Sequence, residues 1–543
     1  MSDDISADTD RGGLTRRQVV QAGGAAAAGA LLAVGSARAA STARGVADLT
    51  NPAAPFPHVW ERVVGGDWAK QALRRDYQDQ LLEAQRELGI RSLRFHGVLN
   101  TEMSVYAPSA GLPRPAPFTQ DGYSFFNVDQ IYDFLVEHGM HPFVELSSMP
   151  EALQAKPPAF RVFLYRFNPA EPADYAAWGR LVGAFVRHLV DRYGIREVRT
   201  WPLEVWNEPN LPFFFEGDQQ AYFKLYRAAA EAVKSVDASL QVGGPATSAG
   251  QLSLGAPRSP GPQYLREFMQ YVTANDVPID FGSAHGYDTD TGAGPEGAAT
   301  FFKRNRADTP ARLPLYVSET NMTARLGDLS TDKADAAAGF LRTVIETAGV
   351  VDALAYWAFS DIFEEVTQPD NPFSGSFGLI TINGIKKPAY RLLQILRDVG
   401  AHRLPLALTG VPPGLGGIVA KGGRRGGFDV LLYNHAVPSG REGVPPAPAQ
   451  PARLTIVLRG LSPRGARARL RRIDADHANP YREWVELGSP EYPTRRQLRR
   501  IEEASELVEE SLTLDRDPAT GSAAFTLTLP AEAIAAVHLR ADR

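Results

Sequence analysis

With 543 residues, 44% hydrophobic and 22% charged, the chain is too long for one ordinary core and fits an export segment followed by two or three folded units. A formal net charge of -5 leaves no basic excess to match a phosphate backbone, so nucleic acid is not an expected partner. The absence of cysteine excludes disulfides, thiolate metal sites and cysteine nucleophiles.

Near the N-terminus, Arg16-Arg17 precedes a Gly- and Ala-rich apolar run from Ala22 to Val34, and then Ala37-Arg38-Ala39-Ala40. A charged start, a mild apolar stretch and a small-residue cleavage site predict a twin-arginine-type signal peptide over residues 1–40, and with it export to a bacterial periplasm or medium. The apolar run of about 13 residues falls short of the roughly 20 that a membrane-spanning helix needs, so no lasting membrane insertion is expected. Residues 41–57 read as a polar, Pro-containing lead-in.

From 58 to 398, short apolar strands alternate with amphipathic helices, the pattern of an α/β architecture with parallel strands. Helix 71–88, apolar at Leu73, Tyr77, Leu81 and Leu88, runs into strand 90–96. A weaker strand is expected at 123–126, followed by helix 128–138 and strand 140–146. Helix 174–193 ends at Gly194, a C-cap signal, and leads to strand 198–206. Strands at 240–243, 279–284, 313–318 and 353–359 follow, separated by helices 218–236, 262–274, 297–305 and 331–348, and helix 388–397 closes the series. Eight such units match a (β/α)8 TIM barrel, whose active site is built where the strands end. Residues 399–543 change to short alternating strands between Gly- and Pro-rich turns, which predicts a C-terminal β-sandwich accessory domain. One charged helix, 494–512, interrupts it; its stripe of Leu498, Ile501, Leu507 and Leu512 is expected to pack within the chain, and no pattern specifies an oligomer.

Two strand ends carry chemistry. In Trp201-Pro-Leu-Glu-Val-Trp-Asn-Glu-Pro-Asn210, an apolar strand stops at Asn207, Glu208 and Pro209, and Pro209 ends ladder pairing because it has no N–H to donate. In Arg312-Leu-Pro-Leu-Tyr-Val-Ser-Glu319, the seventh expected strand likewise ends in a carboxylate. Carboxylates on the fourth and seventh strands of a closed barrel can face each other across its axis. Glycoside hydrolysis needs such a pair, and their separation, about 5 Å or distinctly more, decides between retention and inversion of configuration. His96 and His285 stand about 190 residues apart with no ligand-spaced pair, so neither a metal nor any other cofactor is expected.

The segments EVWNEPN around Asn207-Glu208, LYVSETN around Glu319, and Tyr356-Trp-Ala-Phe-Ser-Asp-Ile-Phe-Glu-Glu365, in this order, resemble glycoside hydrolase family 39, the family of β-xylosidases and α-L-iduronidases. The resemblance runs from about His58 to the C-terminus and implies Glu208 as acid/base and Glu319 as nucleophile. It further implies Asn207 on the sugar 2-hydroxyl, His96 and His285 as sugar ligands, and Tyr287 beside the nucleophile. Trp357 becomes an apolar platform, and Glu364 and Glu365 become ligands of the distal hydroxyls. The implied activity is that of a retaining, exo-acting glycoside hydrolase on an oligosaccharide or glycoside, with β-xylosidase favoured. β-Glucosidase, α-L-arabinosidase, α-L-iduronidase and endo-acting or transglycosylating activities remain as alternatives.

Overall fold

The computed structural model describes residues 42–108, 122–249, 261–288, 297–365, 368–436, 447–461, 466–517 and 519–541; the expected signal peptide lies outside them. Two strands, β1 (Thr42–Asp48) and β2 (Ala54–Pro55), precede eight that close into a parallel barrel. These are β3 (Val64–Trp68), β4 (Ser92–His96), β5 (His141–Leu146), β6 (Pro202–Val205), β7 (Gln241–Ser248), β8 (Phe281–Tyr287), β9 (Leu315–Asn321) and β10 (Ala353–Tyr356), with β10 returning to β3. Helices between them cover the outside. Tyr175–Tyr193 shows why they form: Asp174 caps its start by accepting from the Ala176 N–H, and Gly194 ends it at a φ of 81°. Its buried Trp178, Leu181, Val182, Phe185 and Leu189 recur at helical spacing and face the barrel wall. Among the described residues, no helix is long and apolar enough to cross a membrane.

The first barrel strand is β3, which the sequence pattern does not reveal, and the segment read as a strand at 123–126 supplies only an isolated bridge, Tyr123 to Tyr106, before helix Phe126–Glu137. The two differences offset each other, so Glu208 still follows the fourth strand and Glu319 still lies on the seventh, while His96 ends the second. β3 escapes notice because it reads Val-Gly-Gly-Asp-Trp, with two glycines in the place of branched residues. Packing requires them: a Cβ on Gly65 would lie 2.3 Å from Trp357 Cε3, and one on Gly66 would lie 2.3 Å from Tyr77 Oη.

Beyond helix Pro388–Asp398 come β11 (His402–Leu404), β12 (Ala407–Thr409), β13 (Leu415–Lys421), β14 (Phe428–Asn434), β15 (Ala452–Arg459), β16 (Ala466–Ile473), β17 (Glu509–Leu512), β18 (Asp515–Asp517), β19 (Ser522–Leu529) and β20 (Ala533–Ala541). They form two sheets, β12-β1-β15-β19-β18 and β17-β16-β20-β14-β13-β11-β2, over a shared core that includes Leu454, Ile456, Leu458, Val430, Leu432 and Val537. Along β15, Ala452, Leu454, Ile456 and Leu458 are buried at every second position, as a one-sided strand requires. The segment read as a lead-in is structural: β1 pairs in parallel with β15 along all seven of its residues, and β2 pairs with β11.

The charged helix is shorter than its apolar stripe suggests. It spans Arg495–Ser505, opened by a Thr494–Gln497 capping box, and Glu506 turns extended. The residues that follow become β17, whose Glu510 meets Arg472 on β16 at 2.6 Å, while Glu509 meets Arg425 at 2.7 Å.

Candidate active site

Every group of the site stands at a strand's C-terminal end, and the two-residue period of a strand decides which side chains share the barrel interior. Arg94 and His96 share a face of β4, and His285 and Tyr287 share a face of β8. After β6 the backbone leaves the ladder through positive φ at Trp206 (76°) and Glu208 (42°), and the Glu208 N–H donates to Ala246 O at 3.0 Å on β7. Strained angles of this kind persist where surrounding structure fixes them, commonly at functional sites.

Side-chain oxygens of Glu208 and Glu319 lie within 4.8 Å of each other, with a His285 nitrogen within the same span. Tyr287 donates its hydroxyl to Glu319 Oε2 at 2.6 Å, and Arg94 donates to Glu319 Oε1 at 2.7 Å. Glu208 Oε1 lies 2.9 Å from His285 Nδ1, whose ring partner Nε2 lies 3.0 Å from Ser318 Oγ. Asn207 accepts from Arg94 through Oδ1 at 2.9 Å, leaving its buried Nδ2 with no partner in the protein. Trp357 is buried against Gly65, its ring 4.7 Å from that of His96, and Phe363 meets it edge-on. Seven expected residues thus converge: Glu208, Glu319, Asn207, His96, His285, Tyr287 and Trp357.

The acidic pair divides. Glu365 is partly buried beside the catalytic carboxylates, and burial, with the charges of Asp67, Glu319 and Glu208, pushes its carboxyl well above the usual range. The Glu364 side chain instead turns to Arg74, at 3.7 Å, and Gln368, at 3.0 Å, so the structure does not bring it to the distal hydroxyls with its neighbour. Its backbone is what reaches inward, donating to Asp67 Oδ2 at 2.9 Å.

Beneath the pair lies a buried charge cluster to which the sequence reading assigns no role. Arg94 donates to Glu204 Oε2 at 2.7 Å as well as to Glu319, and lies 2.8 Å from Glu145 Oε2, which also receives His96 Nδ1–H at 2.7 Å. Burial opposes the guanidinium's charge, but Glu204, Glu145 and Glu319 raise its pKa, so it stays ionised. Glu145, which burial alone would raise, is held below its ordinary value by the charges of His96 and Arg94. A signal existed: Arg94, Glu145 and Glu204 are single charges inside otherwise apolar strands, which is tolerable only when such charges pair.

The surroundings of Glu208 favour its protonated form. Burial and then the charge of Glu319 raise Glu208 well above 4.5, with Arg94 opposing. Burial, followed by the charges of Arg94 and His96, drives His285 well below 6.5, so its ring is neutral. Burial and the Glu319 and Glu208 charges raise Tyr287, which therefore keeps the proton it donates. Ser318 donates its one hydroxyl proton to Glu204 Oε1 at 2.7 Å, so toward His285 it can only accept. The neutral ring then carries its proton on Nε2 and turns a lone pair at Nδ1 toward Glu208, an acceptor for a protonated carboxyl. Glu208, His285 and Glu319 are also spaced as cation ligands. The Arg94 guanidinium, 2.7 Å from Glu319 Oε1, already supplies the positive charge at this carboxylate and would repel a cation, so the donor set fits a proton better than a metal.

This is an arrangement that can donate a proton and present a carboxylate over one bond. The family model of Glycosyl hydrolases family 39 matches residues 47–518. A beta-xylosidase of Caldicellulosiruptor saccharolyticus is 38% identical over 469 residues, 84% of this chain and 90% of that one. A beta-xylosidase of Geobacillus stearothermophilus is 31% identical over 468 residues, 83% and 86% of the two chains. The crystal structure of the GH39 enzyme from Xanthomonas axonopodis pv. citri superposes with a TM-score of 0.76 at 28% identity, covering 94% of this chain and all of its own. With the family model spanning barrel and sandwich alike, and the paired carboxylates at the ends of strands four and seven, the chain belongs to glycoside hydrolase family 39.

Proposed function

We propose that this glycosidase is a retaining, exo-acting β-xylosidase that releases xylose from the ends of xylo-oligosaccharides. The observation that carries retention is the spacing of Glu208 and Glu319, whose oxygens lie within 4.8 Å. Retaining pairs stand about 5 Å apart, whereas inverting pairs leave room for water at roughly 6.5–9.5 Å. Glu319, ionised and held by Arg94 and Tyr287, attacks the anomeric carbon while protonated Glu208 donates to the leaving oxygen. In the resulting ester the Glu319 charge is gone, which lowers the proton affinity of Glu208 and lets it take a proton from the incoming water. The free Asn207 Nδ2 is suited to the sugar 2-hydroxyl, and Trp357 to the apolar face of the ring.

Identity with the two curated β-xylosidases supports xylose. Glu365, which burial and then the charges of Asp67, Glu319 and Glu208 push well above the usual carboxyl range, offers an uncharged hydrogen-bonding group to a neutral sugar. Glu319→Gln is expected to lower turnover of an activated aryl β-xyloside by at least about 1,000-fold. Glu208→Ala is expected to spare substrates with good leaving groups and to be rescued in its second step by azide. Near wild-type turnover by Glu319→Gln sinks the assignment, and a screen of aryl β-xyloside, β-glucoside, α-arabinoside and α-iduronide decides the sugar.

A further inference from the structure

Asp67 is the penultimate residue of β3, which lies in the closed barrel between β10, leading into Trp357, and β4, ending at His96. Around that ring, β3 and β10 face β7 and β6, so Asp67 and the loop after β10 form the wall opposite the acid Glu208. The Asp67 side chain is buried. Oδ2 accepts the Glu364 N–H, while Oδ1 has no hydrogen-bond partner in the protein. Its backbone holds a φ of 58°, a left-handed angle that costs a non-glycine residue energy unless neighbouring structure imposes it.

A second orphaned group belongs to the same wall. Tyr165, from the loop after β5, stacks on Trp68 with ring centroids 4.0 Å apart and planes 7° from parallel. Its ring is buried, its hydroxyl has no partner, and that hydroxyl lies in the field of Glu365, Asp67, Glu319 and Glu145. The same loop is tied to the acidic segment, since the Leu164 N–H donates to Glu365 O at 3.0 Å. A buried acceptor and a buried donor, each unmatched, are costly unless a ligand group completes them. One hydroxyl can serve both, donating to the carboxyl and accepting from the phenol.

We propose that Asp67 and Tyr165 form the distal wall of the glycone subsite, binding the ring hydroxyl furthest from the scissile bond, and that Asp67 is a specificity-determining residue for sugars hydroxylated there. This rests on the glycosidase reading of the preceding section. In a pyranoside the hydroxyl is the one on C4. Burial pushes the Asp67 carboxyl up to about 7, so the wall offers the sugar hydroxyl a polar and easily neutralised group.

The test compares steady-state kinetics on an aryl β-xyloside and its 4-deoxy analogue for the wild type, Asp67→Ala, Asp67→Asn and Tyr165→Phe. Asn tolerates left-handed angles, so Asp67→Asn keeps the backbone. Its amide oxygen must turn to the Glu364 N–H, and its NH2 then meets the sugar as a second donor beside Tyr165. On the parent glycoside all three variants are expected to raise KM, Asp67→Ala by about 10- to 100-fold, with a smaller change in kcat. On the 4-deoxy analogue the variants are expected to match the wild type. Equal losses on both substrates, or a folded Asp67→Asn with unchanged KM, would overturn the assignment. If the wild type proves to prefer another glycoside, the same comparison is run on that glycoside and its deoxy series, which corrects the sugar identity while still deciding the role of Asp67.

Discussion

Ser318 has one proton to give, and giving it to Glu204 settles the direction of the chain that ends on Glu208. If that chain keeps the acid protonated, Ser318→Ala leaves the His285 ring free to place its proton on Nδ1, where it donates to Glu208 and stabilises the carboxylate. Glu208 then loses its proton at lower pH, and because it must be protonated to act, the alkaline limb of kcat/KM moves down. The expected shift is about one pH unit, with Ser318→Thr restoring the wild-type profile. A uniform loss of rate with an unmoved profile would make Ser318 merely structural. At this scale the carboxylates were legible because each follows an apolar run, Glu208 just beyond β6 and Glu319 near the C-terminal end of β9, and the ligands were legible through family motifs. The split of Glu364 from Glu365 was not, because it depends on Arg74 waiting outside the site. Asp67 carried no cue either, sitting in a strand that does not look like one.

That strand, β3, shows what pattern reading registers among elements. Alternating branched residues announce β9 and the sandwich strands, whereas Val-Gly-Gly-Asp-Trp announces a turn, since its glycines answer to neighbours distant in sequence. Gly65 faces the barrel interior and Trp357; Gly66 faces outward, to Tyr77. Gly65→Ala and Gly66→Ala therefore impose the same steric intrusion on opposite faces of one strand. Each is expected to cost about 1–3 kcal/mol of stability, read from urea unfolding. Only Gly65→Ala is expected to displace the Trp357 platform and lower kcat/KM on the aryl β-xyloside, by about 10- to 100-fold. Equal kinetic losses in both variants would remove Trp357 from the substrate's surroundings.

At the scale of the molecule, the described residues begin in the sandwich, build the barrel and return, so the accessory domain is closed by segments on both sides of the barrel. β1 was invisible as a strand because its inward positions are Ala43, Gly45 and Ala47; a Cβ on Gly45 would meet Ile456 at 2.5 Å, so the close sheet packing that places β1 also strips it of bulky residues. The sandwich in turn reaches the catalytic rim through His435, which follows β14. Its Nδ1 lies 2.6 Å from Glu532 and its Nε2 lies 3.3 Å from Asp288, the residue after Tyr287, with Asp335 and Arg342 nearby. Burial disfavours the imidazolium, but the hydrogen bonds its two N–H groups donate to Asp288 and Glu532 overcome it and raise His435 to about 9. A raised folded-state pKa means that the stabilisation is complete below the unfolded value near 6.5 and is lost as pH climbs through about 9. His435→Gln, which keeps a polar side chain without the charge, is expected to be less stable than the wild type by on the order of a few kcal/mol at pH 6. The gap in urea midpoint should narrow steadily between pH 6.5 and 9.5, whereas Asp288, held below its ordinary value, contributes no slope of its own there. A gap that stays constant with pH would show that His435 joins barrel and sandwich by shape alone, and that the charge it carries has no part in holding the Tyr287 end of β8 against the accessory domain.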